Sequence, residues 1–193
     1  DAASVNEIML AKSLGLTGDD VMFSGNFLSD DDIKQGLESD VIFNLDDISI
    51  LPRVLKFGTP RMLSFRVNPG YGRSNVGDFV TNAGPKAKFG LHPDHVMDAY
   101  RMAKEAGIKQ FGVHMMPGSC ITDPDYFPFI TNLLMDIVGK VGRDLKIDFD
   151  FIDLGGGLGI PYRPGEESLD IDKAAKLTAE AFKAKVAEYG LKA

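Results

Sequence analysis

The strongest chemical signature in the chain is Asp153-Leu154-Gly155-Gly156-Gly157-Leu158-Gly159. An apolar run that ends in consecutive glycines lets backbone N–H groups converge on an anion with no side chain in the way. At the C-terminal end of a parallel strand such a turn is a ready phosphate cradle. The same glycines equally serve a tight turn that needs positive φ, and alone they do not choose. A second loop, Pro117-Gly118-Ser119-Cys120, directly follows a stretch containing His114. Its serine hydroxyl offers an anion contact, although by itself the loop reads as a plain turn. Two such loops on consecutive parallel strands face the same side, and together they favour a phosphate-bearing ligand.

Other reactive side chains give less. His114 lies inside the apolar run 111–116, where a buried, hydrogen-bonded histidine is the first reading and a catalytic base the second. His92 and His95 open a helix on its polar side. No two histidines have metal-ligand spacing and Cys120 is the only cysteine, so no metal is expected. Cys120 sits beside a ligand loop but has no histidine partner to activate it. Asp148 and Asp150 alternate with Ile147, Phe149 and Phe151, which puts both carboxylates on one face near a strand's start. That is the end of a barrel that does not carry catalysis.

Positioning these loops requires strands and helices in alternation. Apolar runs predict strands at 21–25, 41–45, 62–68, 111–116 and 147–154. Helices are predicted at 5–14, 47–56, 93–106 and 127–141, and around Ala174, Leu177, Ala181 and Phe182. Ser29 followed by Asp30, Asp31 and Asp32 marks one more helix start. A leading helix and five strand–helix units imply a parallel sheet, because each crossover helix must cover a sheet face. The choice lies between an open doubly wound sheet and a barrel. A closed eight-unit barrel takes about 250 residues, more than this chain has. The irregular segment 68–91 is long enough to be functional.

The 193 residues carry a net charge of −7, with 44% hydrophobic and 25% charged residues. Those values exclude a disordered or fibrous chain and argue against a nucleic-acid surface. No apolar run approaches the roughly 18 residues of a membrane span. A single cysteine fits a reducing compartment, so a cytoplasmic location is expected.

Taken in order, the motifs resemble the fold-type III, alanine-racemase-like barrel decarboxylases that use pyridoxal 5′-phosphate, above all the diaminopimelate decarboxylase branch. The resemblance begins with Asp1-Ala2-Ala3-Ser4 and Glu7, then Phe23-Ser24-Gly25-Asn26 and Phe43-Asn44-Leu45-Asp46. It continues through Arg66-Val67-Asn68-Pro69-Gly70, Lys88-Phe89-Gly90, Gly112-Val113-His114 and Gly118-Ser119. It closes on Gly155-Gly156-Gly157-Leu158-Gly159-Ile160 with Tyr162.

The resemblance implies an α/β fold, an incomplete TIM-type (β/α)8 barrel, with residues 1–193 forming one partial cofactor-binding domain. It implies that the cofactor's phosphate lies against Ser119, Gly155, Gly156 and Gly157, with Gly157 the nearest amide. Arg66, Asp1 and Glu7 resemble residues around the cofactor ring, and Lys88 resembles a lysine that makes an ionic contact near a subunit interface. The implied reaction is decarboxylation of a diamino acid, meso-diaminopimelate to lysine. Ornithine, arginine or a carrier-linked amino acid are the alternative substrates, and a non-catalytic phosphate-binding barrel is the alternative role. The implied partners are an amino-acid substrate and a second subunit in a homodimer with shared active sites, with no nucleic acid and no membrane.

Three departures from the family pattern stand out. The family's cofactor-bearing lysine is expected upstream of Asp1, and Lys109 and Lys146 precede their strands at the wrong end to replace it. The family's Glu-Pro-Gly-Arg strand and β-domain are expected beyond Ala193. Met116 stands where the family has a histidine stacked on the cofactor ring, while His114 matches an earlier histidine of many relatives. The expectation is a segment of a longer product, with completion by a second copy as the lesser alternative.

Overall fold

In the computed structural model, which describes residues 1–75 and 83–192, strands succeed one another across a single sheet in the order they occur along the chain. Helix α1 (Val5–Ser13) is followed by β1 (Met22–Phe23), α2 (Asp30–Glu38), β2 (Ile42–Leu45) and α3 (Ile50–Leu55). Then come β3 (Met62–Arg66), β4 (Arg73–Ser74), α4 (Pro93–Glu105), β5 (Gln110–His114) and β6 (Gly118–Ser119). Helix α5 (Tyr126–Leu145), β7 (Phe151–Asp153) and α6 (Ile171–Tyr189) complete the order. The main sheet is β1-β2-β3-β5-β7, all parallel, and Ala2 adds a bridge to Phe23 on the outer edge of β1.

This order decides between the two architectures. Right-handed crossovers that always step the same way put every helix on one face, whereas a doubly wound sheet reverses direction and takes helices on both. The side-chain alternation agrees. Phe23, Phe43, Leu45, Leu63, Phe65 and Val113 are completely buried on the helix side. The alternate positions Met22, Ile42, Met62, Gln110 and Phe151 line a hollow of about 560 Å³ on the concave side. The architecture is an arc of a barrel, with the core between its convex face and the helices.

Local chemistry sets the helix starts. Ser4 caps α1 by accepting from Glu7 N, and the Glu7 carboxylate takes Ala3 N at 2.6 Å. Ser29 and Asp32 form a reciprocal capping box on α2. His92 caps α4 through Nδ1, which accepts from Asp94 N at 3.3 Å. Beyond the sheet, the connections after β3 and β5 pair again as β4 and β6, and Ile121 bridges Leu158. These contacts make a second tier at the C-terminal rim of the arc.

Several predicted boundaries are corrected. Strand β7 covers only Phe151–Asp153 rather than 147–154. Asp150 turns its carboxylate onto Phe111 N at 2.9 Å, and Asp148 pairs with Lys192 at 2.6 Å, so the two acids do not share a strand face. Strand β5 ends at His114, leaving Met115 and Met116 to the rim loop, and β1 holds only two residues. Strand β3 stops at Arg66, where Val67 N makes a last bond to His114 O and Val67 bridges Leu91. Helix α3 begins at Ile50 rather than 47, after the Asp47 carboxylate accepts from Ser49 N. Helix α5 runs on to Leu145, where Lys146 turns left-handed. Part of the segment 68–91, residues 76–82, lies outside the described residues.

Gly36 shows how tightly α2 sits on the sheet. A Cβ there would lie 2.7 Å from Phe43 Cζ and 3.0 Å from Phe23 Cδ1, and both rings are fully buried. In an open helix, Gly→Ala gains about 1 kcal/mol. Here overpacking of about 1–3 kcal/mol opposes that gain. Gly36→Ala is therefore expected to lower stability in urea unfolding, and a rise in the midpoint would contradict the packing described.

Candidate active site at the C-terminal rim

The concave alternation carries a polar set to the C-terminal strand ends. Ser24 follows β1, Asn44 lies in β2, Ser64 and Arg66 in β3, His114 in β5 and Asp153 in β7. Arg66 pairs in register with His114, and His114 with Asp153. Asp1 approaches from the outer edge of the sheet, so that ligand atoms of Asp1, His114 and Asp153 all lie within 4.8 Å of one another. Ser24 Oγ donates to Asp1 Oδ1 at 3.0 Å. Asn44 Nδ2 lies 3.1 Å from Ser24 Oγ and 3.0 Å from His114 Nδ1. Asn44 Oδ1 and Ser64 Oγ are buried without a hydrogen-bond partner among the described residues.

Burial dominates the electrostatics. His114 is 5% exposed, and desolvation pushes its pKa down to about 4. The neighbouring Asp153 carboxylate pulls upward, while Arg66 adds to the depression. His114 is therefore an uncharged imidazole at neutral pH. Burial also lowers the Arg66 pKa, against an opposing pull from Asp46. Asp46, which accepts a bond from Asn26 Nδ2, is raised by burial. Phe89 carries the Arg66 guanidinium at 5.2 Å on its ring, with Lys88 Nζ at 5.1 Å.

Above these side chains lies the glycine turn. Asp153 Oδ1 accepts from Gly155 N at 2.7 Å and starts it. Gly155, Gly156 and Gly157 all have positive φ, at 78°, 83° and 84°. A Cβ on Gly155 would run into the Met115 carbonyl, and one on Gly157 would stand 2.5 Å from Gly118 O. Gly156 faces open space, with nothing within 4 Å of its Cβ direction. The turn is fastened to the β6 loop by Ile121 N donating to Gly157 O at 2.9 Å, and Gly159 N to Ile121 O at 2.8 Å. Ser119, half-buried, is therefore beside the triplet.

The residues singled out in the sequence fall into two groups. Asp1, Arg66, His114, Asp153, Ser119 and the glycine triplet gather at the rim, and half-buried Met116 lies on the loop between β5 and β6. Glu7 is occupied with capping α1, and Lys88 is exposed with its Nζ over the Phe89 ring. Cys120 has a left-handed φ of 56° and lies 3.7 Å from the Tyr162 hydroxyl. Sequence reading gives no role to Asn44, Ser24 or Asn68. Asn68 organises its loop by donating to Gly84 O at 2.9 Å while accepting from Gly70 N and Gly84 N. The available signal was polarity at an inward position, as with asparagine amid Val41, Ile42, Phe43 and Leu45.

A family profile described as "Pyridoxal-dependent decarboxylase, pyridoxal binding domain" matches residues 1–192. The chain belongs to this family. It is similar to the diaminopimelate decarboxylase of Methanothermobacter thermautotrophicus, 41% identical over 192 residues, which is 99% of this chain and 45% of that protein. The Thermoplasma acidophilum protein of the same name is 38% identical over 184 residues, 94% of this chain and 44% of the relative. A solved diaminopimelate decarboxylase from Helicobacter pylori, complexed with L-lysine, superposes with a TM-score of 0.84 at 24% identity. That match covers 95% of this chain and 47% of the other, and carries the fold: the arc is half of a TIM-type barrel. The chain thus spans less than half the length of the curated relatives it matches.

The rim fits the phosphate of a pyridoxal cofactor. A glycine forced by its neighbour's backbone needs no ligand to explain it, and that covers Gly155 and Gly157. Gly156 has no such neighbour among the described residues, so main-chain crowding does not account for it, and it stands in the turn fastened to the Ser119 loop. Neutral donors of this kind suit a phosphate.

The depressed His114 pKa has a stability consequence. Between pH 6.5 and about 4 the unfolded chain binds a proton at this histidine and the folded chain does not. Its contribution is complete above pH 6.5 and is lost as pH falls through that window, by up to about 3 kcal/mol. Denaturation across this range should show a steeper loss for the native chain than for His114→Gln. Parallel curves would contradict a neutral, desolvated His114.

Proposed function

We propose that this chain is the phosphate-binding part of a pyridoxal 5′-phosphate-dependent decarboxylase that converts meso-diaminopimelate to lysine. The observation that carries the reading is the glycine turn fastened beside Ser119 on a half-barrel of this family. The choice of substrate is supported by the 41% identity to a diaminopimelate decarboxylase. When bound, the cofactor's pyridinium ring supplies the electron sink that lets an α-amino acid lose its carboxylate as carbon dioxide.

This chain's own residues would hold and orient the group. The Ser119 hydroxyl and the amides of Gly156 and Gly157 take the phosphate, with Gly157 as the nearest amide, while Gly155, its N–H held by Asp153, shapes the turn. Arg66 and Asp1 border the ring, and Glu7 keeps Asp1's strand end in place through its bond to Ala3 N. His114 contributes an uncharged polar surface at neutral pH. Met116 offers a polarizable thioether where relatives stack a histidine, and it neither donates nor accepts a proton there. Lys88 serves a subunit contact in a homodimer, and the complete enzyme is cytoplasmic. The cofactor-bearing lysine, the Glu-Pro-Gly-Arg strand and a β-domain come from segments flanking these residues. Met116 also favours a second reading, a barrel that binds the cofactor without decarboxylating.

The complete protein, loaded with pyridoxal 5′-phosphate, should release carbon dioxide from meso-diaminopimelate with a kcat/KM at least tenfold above ornithine or arginine, or about 1.4 kcal/mol of discrimination. Faster release from ornithine or arginine would move the substrate assignment. Cofactor binding without release from any amino acid would favour the non-catalytic reading.

A further inference from the structure

Beneath the glycine turn, four strand ends are joined by one line of hydrogen bonds whose direction is fixed from one end. Ser24 Oγ lies 3.0 Å from Asp1 Oδ1. A carboxylate only accepts, so the single hydroxyl proton of Ser24 points at Asp1, and its lone pairs are left for its other neighbour. That neighbour is Asn44 Nδ2, 3.1 Å away, which donates to Ser24. The Asn44 amide is thereby oriented, because in the opposite orientation its oxygen would face a serine with no proton left. The second Nδ2 proton meets His114 Nδ1 at 3.0 Å. His114 Nδ1 is then an acceptor, and the one proton of the neutral ring sits on Nε2. Asn44 is 2% exposed and His114 5%, so bulk water does not compete for the bond between them, whereas the Asp1 end of the line is exposed.

The next strand gives the line a purpose. Asp153 is the register partner of His114 and holds Gly155 N through Oδ1 at 2.7 Å, the bond that opens the glycine turn. A charged imidazolium beside Asp153 would compete with Gly155 for that carboxylate. A neutral ring leaves it on the glycine.

We propose that Asn44 is a positioning residue: through Asp1 and Ser24 it holds His114 as the uncharged Nε2–H tautomer, which keeps Asp153 on Gly155 and the phosphate turn in shape. The consequence for the cofactor rests on the pyridoxal-phosphate reading above, whereas the tautomer does not.

Nitrogen-15 spectra of histidine-labelled protein near pH 7.5 read Nδ1 and Nε2 of His114 separately. The native chain should show the Nε2–H form. Asn44→Asp presents an acceptor in place of the donor, so the proton should move to Nδ1 and the ring should titrate at higher pH. Ser24→Ala, a milder change for use if Asn44→Asp does not fold, removes the orienting acceptor and should populate both tautomers. In the complete enzyme the Asn44 variant should bind pyridoxal 5′-phosphate roughly ten- to a hundredfold more weakly, the scale of losing the partner that orients a metal-bound histidine. An Nδ1–H ring in the native chain, or a tautomer that neither variant moves, would overturn the relay. A moved tautomer with unchanged cofactor affinity would overturn the positioning role. If the native tautomer is as described and the complete enzyme decarboxylates nothing, the relay stands and the proposed reaction falls.

Discussion

The site depends on one close approach between two stretches of main chain. The turn after β7 lies so near the loop after β5 that Gly155 and Gly157 have no room for a Cβ against the Met115 and Gly118 carbonyls. Three left-handed residues in succession are accessible to glycine at little cost and to other residues only with strain. The approach in turn requires β5 and β7 to be sheet neighbours in parallel, with Asp153 opposite His114. Strand order, register and glycine content are therefore one constraint. Its result is a concave patch of neutral donors at the C-terminal rim, which suits a phosphate without the ion-pair desolvation that a buried lysine would bring.

Around that patch the charges are kept apart. Arg66 is half-buried and faces the aromatic ring of Phe89, while the carboxylates of Asp1, Asp46 and Asp153 are each engaged by a hydrogen-bond donor. Between them sits an imidazole that burial keeps neutral. A site arranged this way holds a polar ligand by directed hydrogen bonds and leaves the chemistry to groups brought by the ligand. The family assignment agrees with that division of labour, since its profile describes a pyridoxal-binding domain.

Much of this was legible in the residues. The glycine run and the Gly118-Ser119 loop were identifiable because few side chains tolerate such turns, and the strand–helix alternation because apolar periodicity is a strong signal. The barrel itself was not, since alternation alone fits either winding; the motifs' resemblance and then the strand order decided it. Boundaries failed where tertiary contacts override local pattern. Residues 147–150 alternate like a strand, yet the strand ladder covers only Phe151–Asp153, and Asp150 grips Phe111 with both its main-chain N–H and its carboxylate. Asn44 showed only as a polar residue amid an apolar strand and Ser24 only within a motif, because their roles depend on partners 70 and 23 residues away.

We propose the turn of Gly155, Gly156 and Gly157, with Ser119, as a phosphate site. Amide spectra of the protein titrated in parallel with pyridoxal 5′-phosphate and with pyridoxal, which lacks the phosphate, test it most directly. Only the phosphorylated form should shift the amides of Ser119 and the three glycines, with pyridoxal binding at least tenfold more weakly, a difference of about 1.4 kcal/mol. Equal affinity for the two compounds, or shifts confined to other parts of the rim, would contradict it.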